Sequence, residues 1–396
     1  MKYDICIIGG AGRVGLPLSI IFALKDLKVL ILDRNKDYLN KIKNGIFPFK
    51  EKNGEEFLKK ALIKGNLFLS SDNKEISFSK NIIITVDTPL DNSMEPDYSL
   101  IDKLKIDFFQ FIKNHHFIIL RSTVFPGFTE TFNNELKKSN ILCELSYCPE
   151  RIAEGNAFLE LTELPQIISG YSKKSIENAE ILFKKLTFDI IKVSVKEAEL
   201  TKLFNNVYRY VKFATANQFF TIANDMNVDF YNVYKAMTYK YPRASDFPKA
   251  GFSAGPCLYK DTLQLYYFCK DKNFIGKTAV LINQEFPMYI FQKINKKFNL
   301  SENNILILGM SFKKESDNLK DSLALNLKDI MEKKCKNLYC YDPYVEHYKE
   351  FNYKKMIKES DIIIIGSPHD IFKKFNLKNK IVIDIWDIIE NGVNLI

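Results

Sequence analysis

The stretch that decides the fold class is residues 3–33, which read YDICIIGGAGRVGLPLSIIFALKDLKVLILD. An apolar run at residues 3–9 ends in glycine, and a helical pattern follows from Leu16 to Leu24. A second apolar run, residues 29–32, is closed by Asp33. Strand, helix and strand at this spacing predict a βαβ unit of a parallel sheet.

The turn inside this unit has the GxGxxG spacing of a dinucleotide site, carried by Gly10-Ala11-Gly12-Arg13-Val14-Gly15. In such a turn the first glycine makes the bend, the second lets the backbone approach a pyrophosphate, and the third allows close helix–strand packing. The phosphates would lie at the helix N-terminus, where N–H groups and the helix dipole favour anions. Asp33 suits a ribose 2′-hydroxyl and repels a 2′-phosphate, which favours NAD over NADP, although Arg34 weakens that preference slightly.

Further apolar runs extend the pattern beyond the first unit. Strands are predicted at 81–86, 117–120 and 141–147, so a parallel sheet covered by helices should continue to about residue 190. Residues 195–236 read as helix, 246–256 as a Gly/Pro-containing loop, and 261–297 as helix again. The strand signal then returns in four runs, namely 305–309, 338–343, 361–366 and 381–385. They predict a second, smaller α/β domain.

Composition excludes several classes of protein. The 396 residues include 46% apolar and 27% charged residues, which is typical of a globular protein. The net charge of +9 comes from lysines spread along the whole chain, so we expect no nucleic-acid partner. Seven scattered cysteines without a CxxC pair argue against disulfides or a metal site. No run is long enough for a bilayer and no signal peptide begins the chain, so no membrane association and a cytoplasmic location are expected.

The most informative segment for chemistry is residues 251–261, GFSAGPCLYKD. Cys257 ends a loop of small residues and stands near the start of a predicted helix. A helix N-terminus and a nearby lysine favour the thiolate form of a cysteine. By itself this pattern leaves two interpretations open, an inert core cysteine and a nucleophile.

The same segment resembles the catalytic loop of the UDP-glucose/GDP-mannose dehydrogenase family, whose pattern is Gly-x-x-x-Gly-x-Cys-Leu-x-Lys-Asp. Other segments resemble that family's motifs in the same order: Val86-Asp87-Thr88-Pro89, Arg121-Ser122-Thr123-Val124-Phe125-Pro126-Gly127, Pro149-Glu150-Arg151-Ile152-Ala153-Glu154-Gly155, Glu199-Leu200-Thr201-Lys202-Leu203-Phe204-Asn205-Asn206 and Gly309-Met310-Ser311-Phe312-Lys313. Six motifs in order cover nearly the whole chain. The resemblance departs at Lys320, where family members often carry arginine.

The resemblance implies an α/β fold of three parts. These are an N-terminal Rossmann domain (1–193), a central long-helix dimerisation region with the cysteine loop (194–298), and a C-terminal smaller Rossmann-like α/β domain that binds the UDP-sugar (299–396). Apolar residues on more than one face of the long helix also favour burial against a second subunit. A homodimer is therefore expected.

The resemblance also implies a reaction, the NAD-dependent four-electron oxidation of the C6 hydroxyl of a UDP-sugar to a uronate. Cys257 would form a thiohemiacetal and then a thioester. Lys202 and Asn206, four residues apart on a helix, would stabilise the developing oxyanion. Glu150 would activate the hydrolytic water, assisted by Thr123 and Asp261.

The remaining expected contacts follow from the same motifs. The expected cofactor-binding residues are Gly10, Gly12, Arg13, Val14, Gly15, Asp33, Thr88, Pro89, Thr123 and Glu154. The expected substrate-binding residues are Glu150, Arg151, Lys202, Asn206, Arg243, Gly251, Lys260, Phe312 and Lys313. For Lys260 a second interpretation, that it only caps the loop, stays open.

Substrate identity is less determined than reaction type. The Cys-Leu-x-Lys-Asp loop and the Ala-Glu-Gly segment resemble UDP-glucose enzymes, whereas Pro-Glu-Arg resembles the branches that oxidise N-acetylhexosamine derivatives. UDP-glucose is the lead expectation, and UDP-N-acetylmannosamine or UDP-N-acetylglucosamine is the alternative. Two rival classes are a 3-hydroxyacid dehydrogenase, which needs no cysteine, and a non-catalytic NAD-binding protein.

Overall fold

The N-terminal apolar run forms a central strand of a parallel sheet. In the computed structural model, which describes residues 1–91, 95–253, 255–269, 274–349 and 352–389, six strands build this sheet: β1 Tyr3–Ile8, β2 Val29–Leu32, β3 Leu67–Ser70, β4 Ser79–Ile84, β5 Phe117–Leu120 and β6 Glu144–Tyr147. Their order is β3-β2-β1-β4-β5-β6, with every pair parallel. The order reverses between β1 and β4, which is where ligands bind in open α/β sheets.

Both faces of this sheet are covered. Along β1, Ile5 and Ile7 enter one apolar core while Cys6 and Ile8 enter the other, because successive side chains of a strand point to opposite faces. The covering helices are α1 Gly15–Leu24, α2 Lys36–Lys43, α3 Gly54–Lys64, α4 Leu100–Phe108, α5 Phe128–Lys138, α6 Ala157–Glu163 and α7 Lys173–Phe183. The predicted parallel sheet with helical cover is confirmed.

Three short strands were not predicted. β3 is only half-buried along its length, so it carries no continuous apolar signal. β7 (Gln166–Ile168) and β8 (Ile190–Lys192) pair with each other in a separate two-stranded parallel sheet, and each has three residues. Strands this short fall below the length at which periodicity distinguishes them from loops.

The long middle helix is real but shorter than predicted. It forms α8, Val195–Asp225, and α9 follows at Phe230–Thr238. Asn227 lies in the left-handed region with φ of +55°, and the Asp229 side chain accepts a hydrogen bond from the Tyr231 N–H as the N-cap of α9. Asparagine tolerates this conformation and aspartate is a preferred N-cap, so the pair ends one helix and begins the next.

The rest of the chain builds a second α/β layer on the central helices. Its elements are α10 Pro256–Cys269, α11 Ile275–Lys297, β9 Asn304–Leu308, α12 Leu323–Met331, β10 Asn337–Tyr341, α13 Glu346–Lys349, α14 Tyr353–Glu359, β11 Ile362–Ile365 and β12 Ile381–Ile383. The sheet order is β10-β9-β11-β12, all parallel. Ile305 and Ile307 share a core with Phe220 and Phe286 of the central helices. The predicted smaller C-terminal α/β region is confirmed.

By compactness the chain divides into two units, Met1–Asn205 and Asn206–Ile396. The central helices join the C-terminal sheet in the second unit because they share its apolar core. The division into three domains at 193/194 and 298/299 stays a prediction. In the described part of the chain, no helix combines the length and apolarity needed to cross a membrane.

Candidate active site

The glycine-rich turn after β1 is shaped by close backbone contacts. A Cβ atom at Gly15 would lie 2.5 Å from the Gly9 carbonyl oxygen and 2.7 Å from the Gly10 Cα, so only glycine fits there. A Cβ at Gly10 would lie 2.6 Å from the Ile7 carbonyl oxygen. At Gly12 the nearest atom would be 3.3 Å away, again the Gly9 oxygen. Gly10 and Gly15 therefore serve the fold, whereas Gly12 leaves open backbone that a ligand can approach.

The groups around this turn fit a dinucleotide. Val14 is the N-cap of α1, and no side chain caps this helix end or places an acid in its first turn. Asp33 follows β2, where its Oδ2 accepts from the Ala11 N–H at 3.0 Å and its Oδ1 from the Asn35 N–H at 2.9 Å. An uncapped helix N-terminus suits a pyrophosphate, and a carboxylate held beside the turn suits ribose hydroxyls.

The turn itself carries a cationic side chain, Arg13. The Arg13 guanidinium lies 4.8 Å from the centre of the Phe49 ring, and its Nη1 is 3.6 Å from Glu154 Oε2. Glu51 accepts from the N–H groups of Gly155 and Ala157 at 2.8 and 2.9 Å, which holds the segment that carries Glu154. Two expected cofactor residues, distant in sequence, are thus neighbours.

The segments after β4 and β5 are joined by hydroxyl groups. Thr88 is buried, and its hydroxyl donates to the Thr123 carbonyl oxygen at 2.5 Å. Ser122 donates to the Val86 carbonyl oxygen at 2.6 Å. Pro89 is exposed. Thr88, Pro89 and Thr123 therefore lie together at the carboxyl edge of the sheet, as parallel strands require.

Glu150, the expected general base, is buried and hydrogen-bonded rather than solvated. Its side chain is 8% exposed, and its Oε2 lies 2.8 Å from Arg121 Nε and 2.5 Å from Arg121 Nη2. Its Oε1 accepts from the N–H groups of Arg151 and Ile152 at 2.7 and 3.2 Å. Both carboxylate oxygens are engaged, so Glu150 would have to exchange a hydrogen bond before it could hold a water.

Arg121 is a buried cation that the sequence analysis quoted but did not assign. Besides Glu150 it donates to the Cys148 carbonyl oxygen and to Gln166 Oε1, at 3.2 and 2.9 Å, and it stacks over Phe183. All three guanidinium nitrogens thus have acceptors, and hydrogen bonding of this kind is what makes a buried charge tolerable. A charged residue directly after a buried four-residue strand was the signal in the sequence.

Glu199 was also quoted without a role, and it closes the turn that follows β5. Although almost fully buried, it accepts from the N–H groups of Gly127 and Thr129 at 2.8 and 2.9 Å and from the Thr129 hydroxyl at 2.6 Å. It therefore occupies the N-terminus of α5. Arg151, an expected substrate contact, donates to the Pro165 carbonyl oxygen, and its partial burial lowers its pKa.

Cys257 is the second residue of α10 and the one exposed cysteine of the seven, all of which lie in the described part of the chain. Burial raises the pKa of Cys148 and of Cys340 to about 12, and that of Cys143 to about 11. These buried groups stay protonated near neutral pH. Accessibility and a position in the first turn of a helix therefore distinguish Cys257 from the other six cysteines as the candidate reactive thiol.

The second unit contains a buried polar pair, Asn206 and Asp261. Asn206 Nδ2 donates to Asp261 Oδ2 at 2.5 Å, and both residues are buried. Among the described residues, Asp261 Oδ1 has no hydrogen-bond partner, and it lies 3.8 Å from Lys260 Nζ. Cys257 and Asp261 are four residues apart on α10 and share a face, as Lys202 and Asn206 do on α8.

The loop before Cys257 is packed against aromatic side chains. A Cβ at Gly255, where φ is +69°, would lie 2.7 Å from the Phe312 ring, and Lys313 Nζ lies 5.6 Å from the centre of the same ring. Arg243 is exposed; it stacks on Tyr241, and its Nε donates to the Tyr241 hydroxyl at 2.7 Å. Phe312 and Lys313 are thus placed beside the cysteine loop, whereas Arg243 contacts only Tyr241 among the contacts described.

The residues expected from the sequence to form the site are divided between the two units. Gly10, Gly12, Arg13, Val14, Gly15, Asp33, Thr88, Pro89, Thr123, Glu150, Arg151, Glu154 and Lys202 lie in the first unit, whereas Asn206, Arg243, Gly251, Cys257, Lys260, Asp261, Phe312 and Lys313 lie in the second. The first unit thus carries a turn suited to a dinucleotide, and the second carries an exposed cysteine on the same helix as the buried Asp261.

Comparison with known families decides the assignment. Residues 3–187 match the NAD-binding domain, 196–284 the central domain, and 306–391 the UDP-binding domain of the UDP-glucose/GDP-mannose dehydrogenase family. The chain belongs to this family. It is an NAD-dependent dehydrogenase of nucleotide sugars, and the expected family and NAD cofactor are confirmed.

Individual relatives of the family align over almost the full length. The UDP-N-acetyl-D-mannosamine dehydrogenase of Methanocaldococcus jannaschii is 28% identical, over 97% of this chain and 92% of the relative. The structure of the UDP-D-ManNAc dehydrogenase from Pyrococcus horikoshii has a TM-score of 0.89 at 28% identity, covering 99% of this chain and 97% of that one. A UDP-glucose dehydrogenase structure from Pyrobaculum islandicum has the same TM-score at 21% identity, with 98% and 95% covered, and so shares the fold.

Proposed function

We propose that this enzyme oxidises C6 of UDP-N-acetylmannosamine to the carboxylate, with Cys257 as the nucleophile. The observation that carries the covalent chemistry is the geometry of α10, on which the exposed Cys257 shares a face with Asp261, itself bonded to Asn206. The substrate is supported by the relatives named above, two of which are UDP-N-acetylmannosamine dehydrogenases at 28% identity. UDP-glucose, the lead expectation from the sequence, becomes the second candidate.

The chain's own residues supply the steps between alcohol and acid. Bound NAD⁺ supplies the acceptor for each of the two hydrides. Loss of the first hydride from C6, with the hydroxyl proton released to solvent, gives the aldehyde. The Cys257 sulfur then adds to C6, forming a carbon–sulfur bond as the carbonyl π bond breaks and its oxygen takes the proton of the thiol. Loss of the second hydride leaves a thioester, and water cleaves the carbon–sulfur bond to give the acid and regenerate the thiol.

Two donors and two carboxylates complete the proposed machinery. Lys202 and Asn206 project from consecutive turns of α8 and would donate to the C6 oxygen as it gains negative charge. Asp261 orients the Asn206 amide through the 2.5 Å hydrogen bond. Glu150 with Thr123 is the proposed pair for activating water. Arg13, Asp33, Thr88, Pro89 and Glu154 are proposed for the cofactor, and Arg151, Arg243, Gly251, Lys260, Phe312 and Lys313 for the substrate.

The test is to incubate the full chain with NAD⁺ and UDP-N-acetylmannosamine, UDP-N-acetylglucosamine or UDP-glucose separately, and to count NADH per sugar consumed. We expect two NADH per UDP-N-acetylmannosamine and little turnover of UDP-glucose. Two NADH per UDP-glucose instead would keep the mechanism and replace the substrate. One NADH per sugar would contradict the thioester mechanism.

A second cysteine on α10, Cys269, provides the matched control for the proposed nucleophile Cys257. Cys257→Ala should lower kcat on the order of a thousandfold or more, because the step that forms the thioester is lost. Cys269→Ala, at the other end of the same helix, should leave kcat within about twofold. Activity that survives Cys257→Ala would instead favour a dehydrogenase of the 3-hydroxyacid type.

A further inference from the structure

The loop that leads to Cys257 contacts an aromatic ring at each of two glycines. A Cβ atom at Gly251, where φ is +152°, would lie 2.5 Å from Cε3 and Cζ3 of Trp386. A Cβ at Gly255 would lie 2.7 Å from Cδ2 of Phe312. Each ring thus lies close against the loop backbone, Trp386 at Gly251 and Phe312 at Gly255, four residues apart. Glycine has no side chain that could move to relieve either contact.

Both rings come from the carboxyl edge of the C-terminal sheet. Phe312 stands in the segment after β9, and Trp386 in the segment after β12. The indole Nε1 of Trp386 donates to the Gly366 carbonyl oxygen at 3.1 Å, directly after β11. This hydrogen bond ties the indole to the middle of the sheet edge.

The backbone around Trp386 is held from several sides. Its N–H donates to Asp384 Oδ1 at 3.0 Å, and the preceding Ile385 carbonyl oxygen accepts from the Tyr231 hydroxyl at 2.7 Å. Lys249 Nζ lies 3.2 Å from Asp387 Oδ2. With bonds to two strand ends and to α9, the indole has a fixed position and can act as a wall rather than as a mobile cover.

The opposite side of Gly251 is equally fixed. Its N–H donates to Asn217 Oδ1 at 2.8 Å, and Asn217 Nδ2 donates to Asn283 Oδ1 at 2.9 Å. Asn217 and Asn283 are buried and belong to α8 and α11. Gly251 is therefore held between an amide pair of the central helices and the Trp386 indole, which leaves little room for the backbone to shift.

We propose that Trp386 is a positioning residue for the reaction: it holds the loop at Gly251 so that Cys257 meets C6 of a nucleotide sugar bound at the C-terminal sheet edge. The inference rests on the proposed function for the role of Cys257. A displacement of about 1 Å at a reacting atom can cost on the order of a hundredfold in rate, which is why such a wall matters. Trp386 itself need not touch the substrate.

The first test separates kcat from KM in the full-length enzyme with the sugar that it oxidises best. Trp386→Ala should lower kcat about tenfold or more and change the KM for NAD⁺ less than about threefold. Trp386→Phe keeps a ring beside Gly251 and should recover most of kcat. Phe372→Leu leaves a cavity in a core against which Trp386 also packs but keeps the indole beside Gly251. It is the matched control for lost stability and should leave kcat within about twofold.

A second readout needs no substrate. The rate of alkylation of Cys257 by iodoacetamide, followed by peptide mass spectrometry, should change at least about threefold in Trp386→Ala and stay unchanged in Phe372→Leu. Trp386 is the single tryptophan of the chain, so an unchanged emission spectrum confirms that Phe372→Leu leaves the indole in place.

The two readouts distinguish failure of the inference from failure of the proposed function. If folded Trp386→Ala keeps wild-type kcat and alkylation rate, or if Phe372→Leu loses as much kcat, the positioning role is overturned. If no UDP-sugar is oxidised by the wild-type enzyme, the proposed function fails. The alkylation rates then still show whether Trp386 holds the cysteine loop.

Discussion

At the scale of single residues, buried charges in the first unit are arranged as positioning groups. Arg121 and Glu150 saturate each other and nearby backbone groups, and Glu199 does the same for the turn at Gly127. Such groups contribute by satisfying donors that burial would otherwise leave unpaired. Arg121 and Gly127 flank Thr123 in the chain, so these hydrogen bonds hold both ends of the segment that carries it.

Glu199 offers the sharpest residue-scale prediction. In Glu199→Gln the new NH₂ group cannot accept from the Gly127 or Thr129 N–H, so a buried donor loses its partner. We expect a loss of about 1–3 kcal/mol in the free energy of unfolding. Urea unfolding followed by circular dichroism measures this loss, from the midpoint and slope of the first cooperative transition.

Glu130→Gln is the matched control for this change. Glu130 is an exposed carboxylate on α5 whose described ion pair, with Lys196, is a surface contact of 3.3 Å. Its substitution should change the free energy of unfolding by no more than about 0.5 kcal/mol. Equal effects of the two substitutions would mean that the buried hydrogen bonds of Glu199 contribute no more to the free energy of unfolding than the surface ion pair of Glu130 does.

At the scale of elements, the strand–turn–helix unit at the N-terminus separates structure from ligand binding within one motif. Gly15 packs on Gly9 and Gly10 with no space for a methyl group, whereas Gly12 faces open space apart from one oxygen at 3.3 Å. One glycine is therefore required by the fold and the other by the approach of the cofactor.

Two alanine substitutions should display this separation. Gly12→Ala should leave the unfolding temperature within a few degrees and weaken NAD binding about tenfold or more, because the methyl group enters the space of the pyrophosphate. Gly15→Ala should lower the unfolding temperature markedly, because the Cβ overlaps backbone atoms. Calorimetry of NAD binding and thermal unfolding measure the two effects. A reversed pattern would contradict the assignment.

At the scale of the whole molecule, α8 carries an exposed apolar stripe. Phe204, Tyr208, Phe219 and Ile222 are 42–59% exposed, and their spacings of 4, 11 and 3 place them on one side of the helix. An apolar stripe of this kind on a long helix is a frequent subunit interface. The homodimer expected from the sequence stays a prediction, and this stripe is its proposed location.

Light scattering tests the assembly directly. We expect a mass of twice the chain's 46.0 kDa, and a return toward the single-chain mass in the double variant Phe219→Glu, Ile222→Glu. Gln110→Glu adds a charge at an exposed residue outside α8 and should leave the dimer intact. A monomeric wild-type protein at working concentration would refute the prediction.

The sequence by itself determined the βαβ start and the order of α/β, helical and α/β segments, and its resemblance to the family's catalytic loop made Cys257 the candidate nucleophile. These follow from local patterns, since apolar periodicity, glycine spacing and a cysteine at a helix start are read from neighbouring residues. The same locality explains the errors. β3 is half-buried, β7 has only two apolar residues and β8 is mostly exposed, so none of the three carries a long buried apolar run. The break at Asn227 lies in a sequence that reads as one helix.

Only the tertiary structure decided the contacts between distant segments. The pairing of Glu150 with Arg121, of Asn206 with Asp261 and of Gly251 with Trp386 joins residues 29, 55 and 135 positions apart. No local pattern encodes such partners, because they depend on which strand ends meet at one sheet edge and on which side chains burial leaves in need of an acceptor.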